Sequence, residues 1–226
     1  MAIALVQQAG ARSSGATISV PFAGAVGAGA LLTLETAAQS SLGAASTVTD
    51  SAGNTWLLAA ATGNSTSNNF SQHWYVGNAV AGTNTVQVSN NITANVIQCH
   101  VQEWSGASTT TALVAFSTRF STAVSTHTAG PVSPPVSSAL FLVTYAFQSG
   151  FDITSPPTGY STLISTFTNM ISYFKIVSGS TTTEDPQVTS SVAENSANII
   201  SAFSGVGGAG PTAAPRRFRM TLLGVS

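Results

Sequence analysis

Ala30-Leu31-Leu32-Thr33-Leu34-Glu35-Thr36-Ala37-Ala38-Gln39-Ser40 and Ala139-Leu140-Phe141-Leu142-Val143-Thr144-Tyr145-Ala146-Phe147-Gln148-Ser149 read as two copies of one phrase, identical at five of eleven positions. His73-Trp74-Tyr75-Val76 is echoed by Ser172-Tyr173-Phe174-Lys175. Trp104-Ser105-Gly106 is echoed by Phe203-Ser204-Gly205, each preceded by a similar run, Ala94-Asn95-Val96-Ile97 and Ala197-Asn198-Ile199-Ile200. An offset near 100 residues recurs, so the chain reads as a tandem duplication.

No stretch holds a 3.6-residue apolar period. Period-2 runs separated by Gly, Asn, Ser and Pro clusters predict strands instead. In the first half these are Ala16–Phe22, Ala30–Ala38, Thr55–Ala61, Phe70–Val76, Asn84–Ser89 and Val96–Trp104. The second half continues with Ala112–Ser117, Ala139–Phe147, Tyr160–Phe167, Ile171–Val177, Gln187–Val192 and Asn198–Phe203. Many short strands at this spacing predict an all-β antiparallel sandwich or jelly roll built from two similar halves. We place the sandwich at residues 1–205, with half-repeats at about 16–106 and 112–205. The Gly106–Thr111 linker is too short for a hinge, which favours one continuous core over two abutting ones.

The charge content is unusual. Six Lys and Arg and seven Asp and Glu make 6% of 226 residues, where an ordinary domain carries about 25%. A near-neutral surface does little to keep copies apart, which points to a protein that works in an assembly or outside a cell. A net charge of −1 offers no field for nucleic acid. No run approaches 18 apolar residues, so no membrane span is expected. Met1–Val6 lacks the charged start of a signal peptide, and the single Cys99 has no internal disulfide partner. Assembly in a bacterial cytoplasm fits these features.

Val48-Thr49-Asp50-Ser51-Ala52-Gly53-Asn54-Thr55-Trp56 is the most distinctive motif. With Trp74-Tyr75-Val76, Gly82-Thr83-Asn84-Thr85-Val86-Gln87-Val88 and Val101-Gln102-Glu103-Trp104-Ser105-Gly106, it resembles a family of β-sandwich proteins found in tailed-phage genomes and on bacterial surfaces. The resemblance spans most of residues 16–205. It implies a virion or surface protein, such as a capsid decoration, tail or fibre component, with itself and other virion proteins as partners. Physically, Asp50 to Trp56 reads as a turn entering a strand, with Asp50 and Asn54 bonding local backbone and Gly53 supplying a positive φ.

Chemistry is sparse. His73, His100 and His127 are isolated in sequence, and Cys99 points away from its neighbour His100, so no metal site or cofactor is expected. No Gly-x-Ser-x-Gly elbow occurs. Glu35 and Glu103, if on one sheet face, would be the only plausible glycosidase pair. A Glu at a strand end otherwise reaches solvent or bonds a loop amide. The competing non-structural role is glycan binding by Trp56, Gln72, His73, Trp74 and Tyr75, although adjacent Trp74 and Tyr75 must face opposite ways. A host surface glycan would then be the ligand. Finally, a Gly/Pro tether after Gly205 leads to Arg216-Arg217-Phe218-Arg219-Met220-Thr221-Leu222-Leu223, which holds half the basic residues. Its alternation suits an arm that attaches to a neighbour, or a last strand of its own fold.

Overall fold

In the computed structural model, residues 1–39, 46–149, 152–163, 169–179 and 182–206 are described. The arm expected at Arg216, Arg217, Phe218, Arg219, Met220 and Leu222 lies outside them. Every regular element among the described residues is a strand. The first half contains β1 (Ala4–Pro21), β2 (Leu31–Gln39), β3 (Ser46–Asp50), β4 (Leu57–Asn64), β5 (Asn69–Val76) and β6 (Thr85–Ser105). The second contains β7 (Leu113–Thr128), β8 (Ser138–Phe147), β9 (Ile153–Ser155), β10 (Ser161–Thr162), β11 (Met170–Ser178) and β12 (Gln187–Ser204).

The strand orders match element for element. One sheet runs β1-β6-β2-β5-β4 with β3 beside β6; the other runs β7-β12-β8-β11-β10 with β9 beside β12. Even the isolated bridges repeat, as Val26 with Gly82 and Val132 with Glu184. Register fixes the correspondence. Leu31 pairs with Trp104 as Leu140 pairs with Phe203, and Leu34 pairs with Trp74 as Val143 pairs with Tyr173. The 104-to-203 and 74-to-173 steps are both 99 residues. The Ala94–Ile97 and Ala197–Ile200 likeness, 103 residues apart, is therefore four out of step. Ile97 pairs with Ala38, and the copy of Ala38, Phe147, pairs with Ser196.

The sequence reading cut the long strands short. Predicted Asn84–Ser89 and Val96–Trp104 are one strand, β6, and predicted Gln187–Val192 and Asn198–Phe203 are one strand, β12. Likewise β1 starts at Ala4 and β7 runs to Thr128, while β3 and β9 were not anticipated. Of predicted Tyr160–Phe167, only Ser161–Thr162 is strand, and 164–168 lies outside the described residues. The polar interruptions that look like turns are absorbed by register shifts, at Ser13/Gly15 and Gly15/Thr17 against β6 and at Thr189/Glu194 and Glu194/Ser196 against β7. Such bulges bend a strand and increase its twist without ending it. One strand therefore serves two neighbours: β6 pairs with β3 through its first residues and with β2 through its last.

Each sheet closes around its own core. Ile18, Val20, Leu32, Leu34, Val86, Val88, Cys99 and Val101 fill the first. Phe141, Val143, Tyr145, Phe147, Tyr173, Val188 and Ile200 fill the second. The other faces of the two sheets pack on each other. There Ile3, Leu31, Trp104, Leu140, Leu142, Leu163 and Phe203 form a shared cluster at one end, and Ala37, Ala146, Met170 and Ala197 a smaller one at the other. Trp104 meets Phe174 and Tyr75 meets Phe203 edge-on, at 5.2 and 5.6 Å between ring centres. The single continuous core expected from sequence is thus two half-cores joined by a shared seam, and β2, buried along nearly its whole length, serves both.

Candidate functional site

Alternation along β2 places Thr33, Glu35 and Ala37 on the face toward the second half, opposite Leu32 and Leu34. Between the two apolar clusters of that seam lies a polar layer. Glu35 stands directly between His73 on β5 and His100 on β6, so three adjacent strands carry a His-Glu-His row. All three are buried. His73 crosses to the second half, its Nδ1 3.0 Å from Ser201 Oγ and its Nε2 2.9 Å from Thr144 Oγ1. Asn69 Nδ2 donates to Ala146 O at 2.8 Å, a further tie across the seam.

Glu35 ends a relay. Trp104 Nε1 donates to Thr33 Oγ1 at 2.9 Å, Thr33 Oγ1 to Gln102 Oε1 at 2.5 Å, and Gln102 Nε2 to Glu35 Oε2 at 2.6 Å. Burial pushes the Glu35 carboxyl up to about 8, against the opposing bonds from Gln102 and its own backbone, so it is an acid, not an anion, at neutral pH. Burial likewise pushes His73 down to about 3 and His100 down to about 4, leaving both neutral. Ser201 and His73 are spaced like a nucleophile and base. Both are sealed between the sheets, at 0% and 1% exposure, and they tie the halves together.

Glu103 is on the other face. It pairs with Leu32, accepts the Gly27 amide at 2.8 Å and accepts Gln7 Nε2 at 2.6 Å. Glu35 and Glu103 therefore cannot converge on one glycosidic bond; of solvent and loop amide, the two places expected for Glu103, it takes the loop amide.

The Asp50 motif is a hydrogen-bonded knot. Asp50 Oδ1 accepts the Asn54 amide at 2.9 Å, and Oδ2 accepts Asn54 Nδ2, Trp56 Nε1 and Asn84 Nδ2 at 2.8, 3.0 and 3.0 Å. Burial opposes ionisation, but the bonds from Asn84, Asn54 and Trp56 prevail and hold the carboxyl below its ordinary range. Gly53 turns at φ 75°, and Asn54 Oδ1 clamps the Val80 amide at 2.8 Å. The expected turn is present, with β4 starting one residue after Trp56.

The residues proposed from sequence to hold a glycan do not make a platform. Trp56, Gln72 and His73 are buried. Trp74 packs on the first core and Tyr75 on the shared seam. Both faces of β5 are turned to protein, so the adjacent aromatics found partners on either side. Two shallow polar grooves lie elsewhere, of about 300 and 380 Å³. The first includes Thr49 and Gln87, the second Ser155 and Thr189. Those are corresponding pairs of β3 with β6 and β9 with β12, so the grooves occupy equivalent places. Only the second carries an aromatic ring, Tyr160, whose hydroxyl donates to Glu184 at 3.2 Å.

Among the described residues no three His, Cys, Asp or Glu side chains converge to hold a metal ion. His127, the third histidine, lies within the second half between Ser196 Oγ and Ser190 Oγ, at 2.7 and 3.0 Å. The His-Glu-His row was invisible in the sequence because strand register, not spacing, assembles it. The one available signal was parity: Glu35 falls out of phase with Leu32 and Leu34. Comparison with protein-family models, with curated proteins and with solved structures finds no match to this chain.

Proposed function

We propose that this chain is a structural component of a bacteriophage virion, a capsid decoration or a tail or fibre part, that acts through protein–protein assembly. The observation that carries the reading is its nearly charge-free exterior. Of the Asp, Glu, Lys and Arg side chains among the described residues, Glu35, Glu103 and Glu184 are buried, and only Arg12, Arg119, Asp152 and Asp185 are well exposed. Ser, Thr, Asn and Gln supply the remaining polarity, so copies meet with little repulsion and little desolvation of charge. The resemblance of the Asp50–Trp56 and Glu103–Gly106 motifs to phage sandwich proteins supports the viral setting. Between the sheets His73, Thr144, Ser201, Thr33, Gln102 and Trp104 bond one another, sealed away from the exterior.

Co-sedimentation tests this. The native chain should travel with particles on a gradient and be present in many copies per particle. Recovery solely as a soluble monomer would overturn the proposal.

A glycan-binding role has one favourable observation, the Tyr160 groove, with Glu184, Asp185, Gln187 and Thr189 around the ring. It moves the candidate residues away from Trp74. A glycan array read with the chain and with Tyr160→Ala decides it: binding lost in the variant supports this second reading, and no binding by the intact chain removes it.

A further inference from the structure

The two equivalent grooves differ in how far their carboxylates are already engaged. In the first half Asp50 is consumed by its own turn, its oxygens taking four donors from Asn54, Trp56 and Asn84. The groove of the second half holds two carboxylates with separate fates. Glu184, 8% exposed, takes Lys175 Nζ at 2.7 Å, Thr182 Oγ1 at 3.1 Å and the Tyr160 hydroxyl at 3.2 Å, so its charge is matched within the protein. Asp185 is exposed beside it, and among the described residues it accepts only the Thr128 hydroxyl, on Oδ1. Its charge and its Oδ2 are left for whatever enters the groove.

The wall around Asp185 is polar without being charged. Ser155, Thr158 and Gln187 are exposed, and their side chains make no hydrogen bond to the described residues. The frame is fixed. Ser155 pairs with Thr189, and Glu184 exchanges two backbone bonds with Val132 at 2.8 and 2.9 Å. The Tyr160 ring packs on the second core, with Lys175 Nζ 5.6 Å from its centre. A fixed groove of about 380 Å³ that sets aromatic and proline surface beside unspent hydroxyl, amide and carboxylate groups has the composition of a sugar site.

Charge narrows the sugar. Among the described residues no Lys or Arg lines this groove, and Lys175 behind the ring is matched by Glu184. Asp185 therefore repels uronic and sialic acids, while each of its oxygens can accept a hydroxyl. An ammonium gains little more there, because exposed ion pairs contribute little. We propose that this groove binds an uncharged hexose of a surface glycan, with adjacent hydroxyls donating to Asp185 and Gln187 bonding a third, and that Asp185 discriminates against acidic sugars. The inference rests on the glycan reading of the Tyr160 groove and adds the class of sugar and the residue that selects it.

It is tested on an array of neutral, sialylated, uronic-acid and free-amine oligosaccharides, probed with the intact chain, Asp185→Asn and Tyr160→Ala. The intact chain should bind neutral members and hold acidic ones at least tenfold more weakly. Asp185→Asn should lose at least tenfold on the neutral glycans and close most of the gap to the acidic ones. Its melting temperature should stay unchanged, because the amide oxygen still accepts from Thr128. Tyr160→Ala should lose binding throughout. A preference for acidic or free-amine sugars, lost in Tyr160→Ala, would keep the groove and overturn the uncharged hexose. Neutral binding lost in Tyr160→Ala but kept in Asp185→Asn would overturn the selecting role of Asp185. No binding by the intact chain, or binding that neither variant touches, would overturn this inference and the glycan reading of the groove together.

Discussion

At the scale of single residues, two carboxyls behave in opposite ways, and both have measurable consequences. Asp50 is held ionised by four donors, so removing it orphans Asn54, Trp56 and Asn84 together. Asp50→Ala should cost about 2–4 kcal/mol in urea unfolding, with Asp50→Asn losing less, because bonds to a charged acceptor exceed neutral ones. Its folded pKa is depressed, so that stability is present above the ordinary carboxylate range and lost as pH falls below it. Glu35 runs the other way. With its folded carboxyl near 8 and its unfolded one near 4.5, its contribution is full below pH 4.5 and lost as pH rises toward 8, at about 1.4 kcal/mol per unit. His73 and His100, neutral when folded and charged below pH 6.5 when unfolded, lose stability as pH falls below 6.5. His127, lowered by burial against an opposing pull from Glu194, adds the same sign. Between pH 4.5 and 6.5 two or more rising contributions outweigh one falling, and above 6.5 only the fall remains. The stability profile should therefore peak near pH 6–7. Glu35→Gln should flatten the alkaline limb between pH 7 and 8; an unchanged limb would mean that Glu35 is not the buried acid.

At the scale of elements, the aromatic-Ser-Gly endings explain how two halves are stitched. Ala107 bridges Gly205, Ser108 N donates to Ser204 O at 2.8 Å, and Val206 N returns to Gly106 O. The two punctuation marks that flag the repeat in sequence thus meet in space. Gly106, at φ 73° and hard against Ala2, tolerates no side chain, whereas Gly53, at φ 75°, faces open space. Gly53→Ala should cost about 1–2 kcal/mol for the backbone alone. Gly106→Ala should cost clearly more, with a thermal midpoint several degrees lower than that of Gly53→Ala; equal losses would show that the Ala2 contact carries nothing. The repeated phrase was legible because β2 and β8 are short, apolar and central. The lengths of β6 and β12 were not, since Asn and Ser mark turns in a sequence but are built into these strands. Asn90 pairs with Ser46, Ser201 meets His73 across the seam, and Asn198 donates to Thr128 O at 3.2 Å within the second half.

At the scale of the whole molecule, the fold is a duplicated sheet whose copies have specialised. At the seam the first copy presents Glu35, His73 and His100, where the second has Thr144, Ser172 and Ile199. The alphabet of the two copies diverged, but the hydrogen bonds across them are shared, as His73 with Thr144 and Ser201 shows. That layer orders the two halves relative to each other, as buried polar groups do when every partner must be matched. His73→Leu should cost about 2–4 kcal/mol, since Ser201 loses its bond to the ring and Thr144 keeps only Ser172. Composition gave the neutral surface directly, because it depends on how few charges there are and not on where they lie. The glycan candidates failed for the opposite reason: exposure depends on what covers β5, and the cover of Tyr75 comes from Phe203, in the other half of the chain. The central claim is that this surface exists for assembly. Gradient sedimentation of native particles, with antibody detection of this chain, tests it most directly. The account predicts the chain in the particle fraction in many copies and resistant to a salt wash, since few charges hold it there; a chain found only at the top of the gradient, as a monomer, would contradict it.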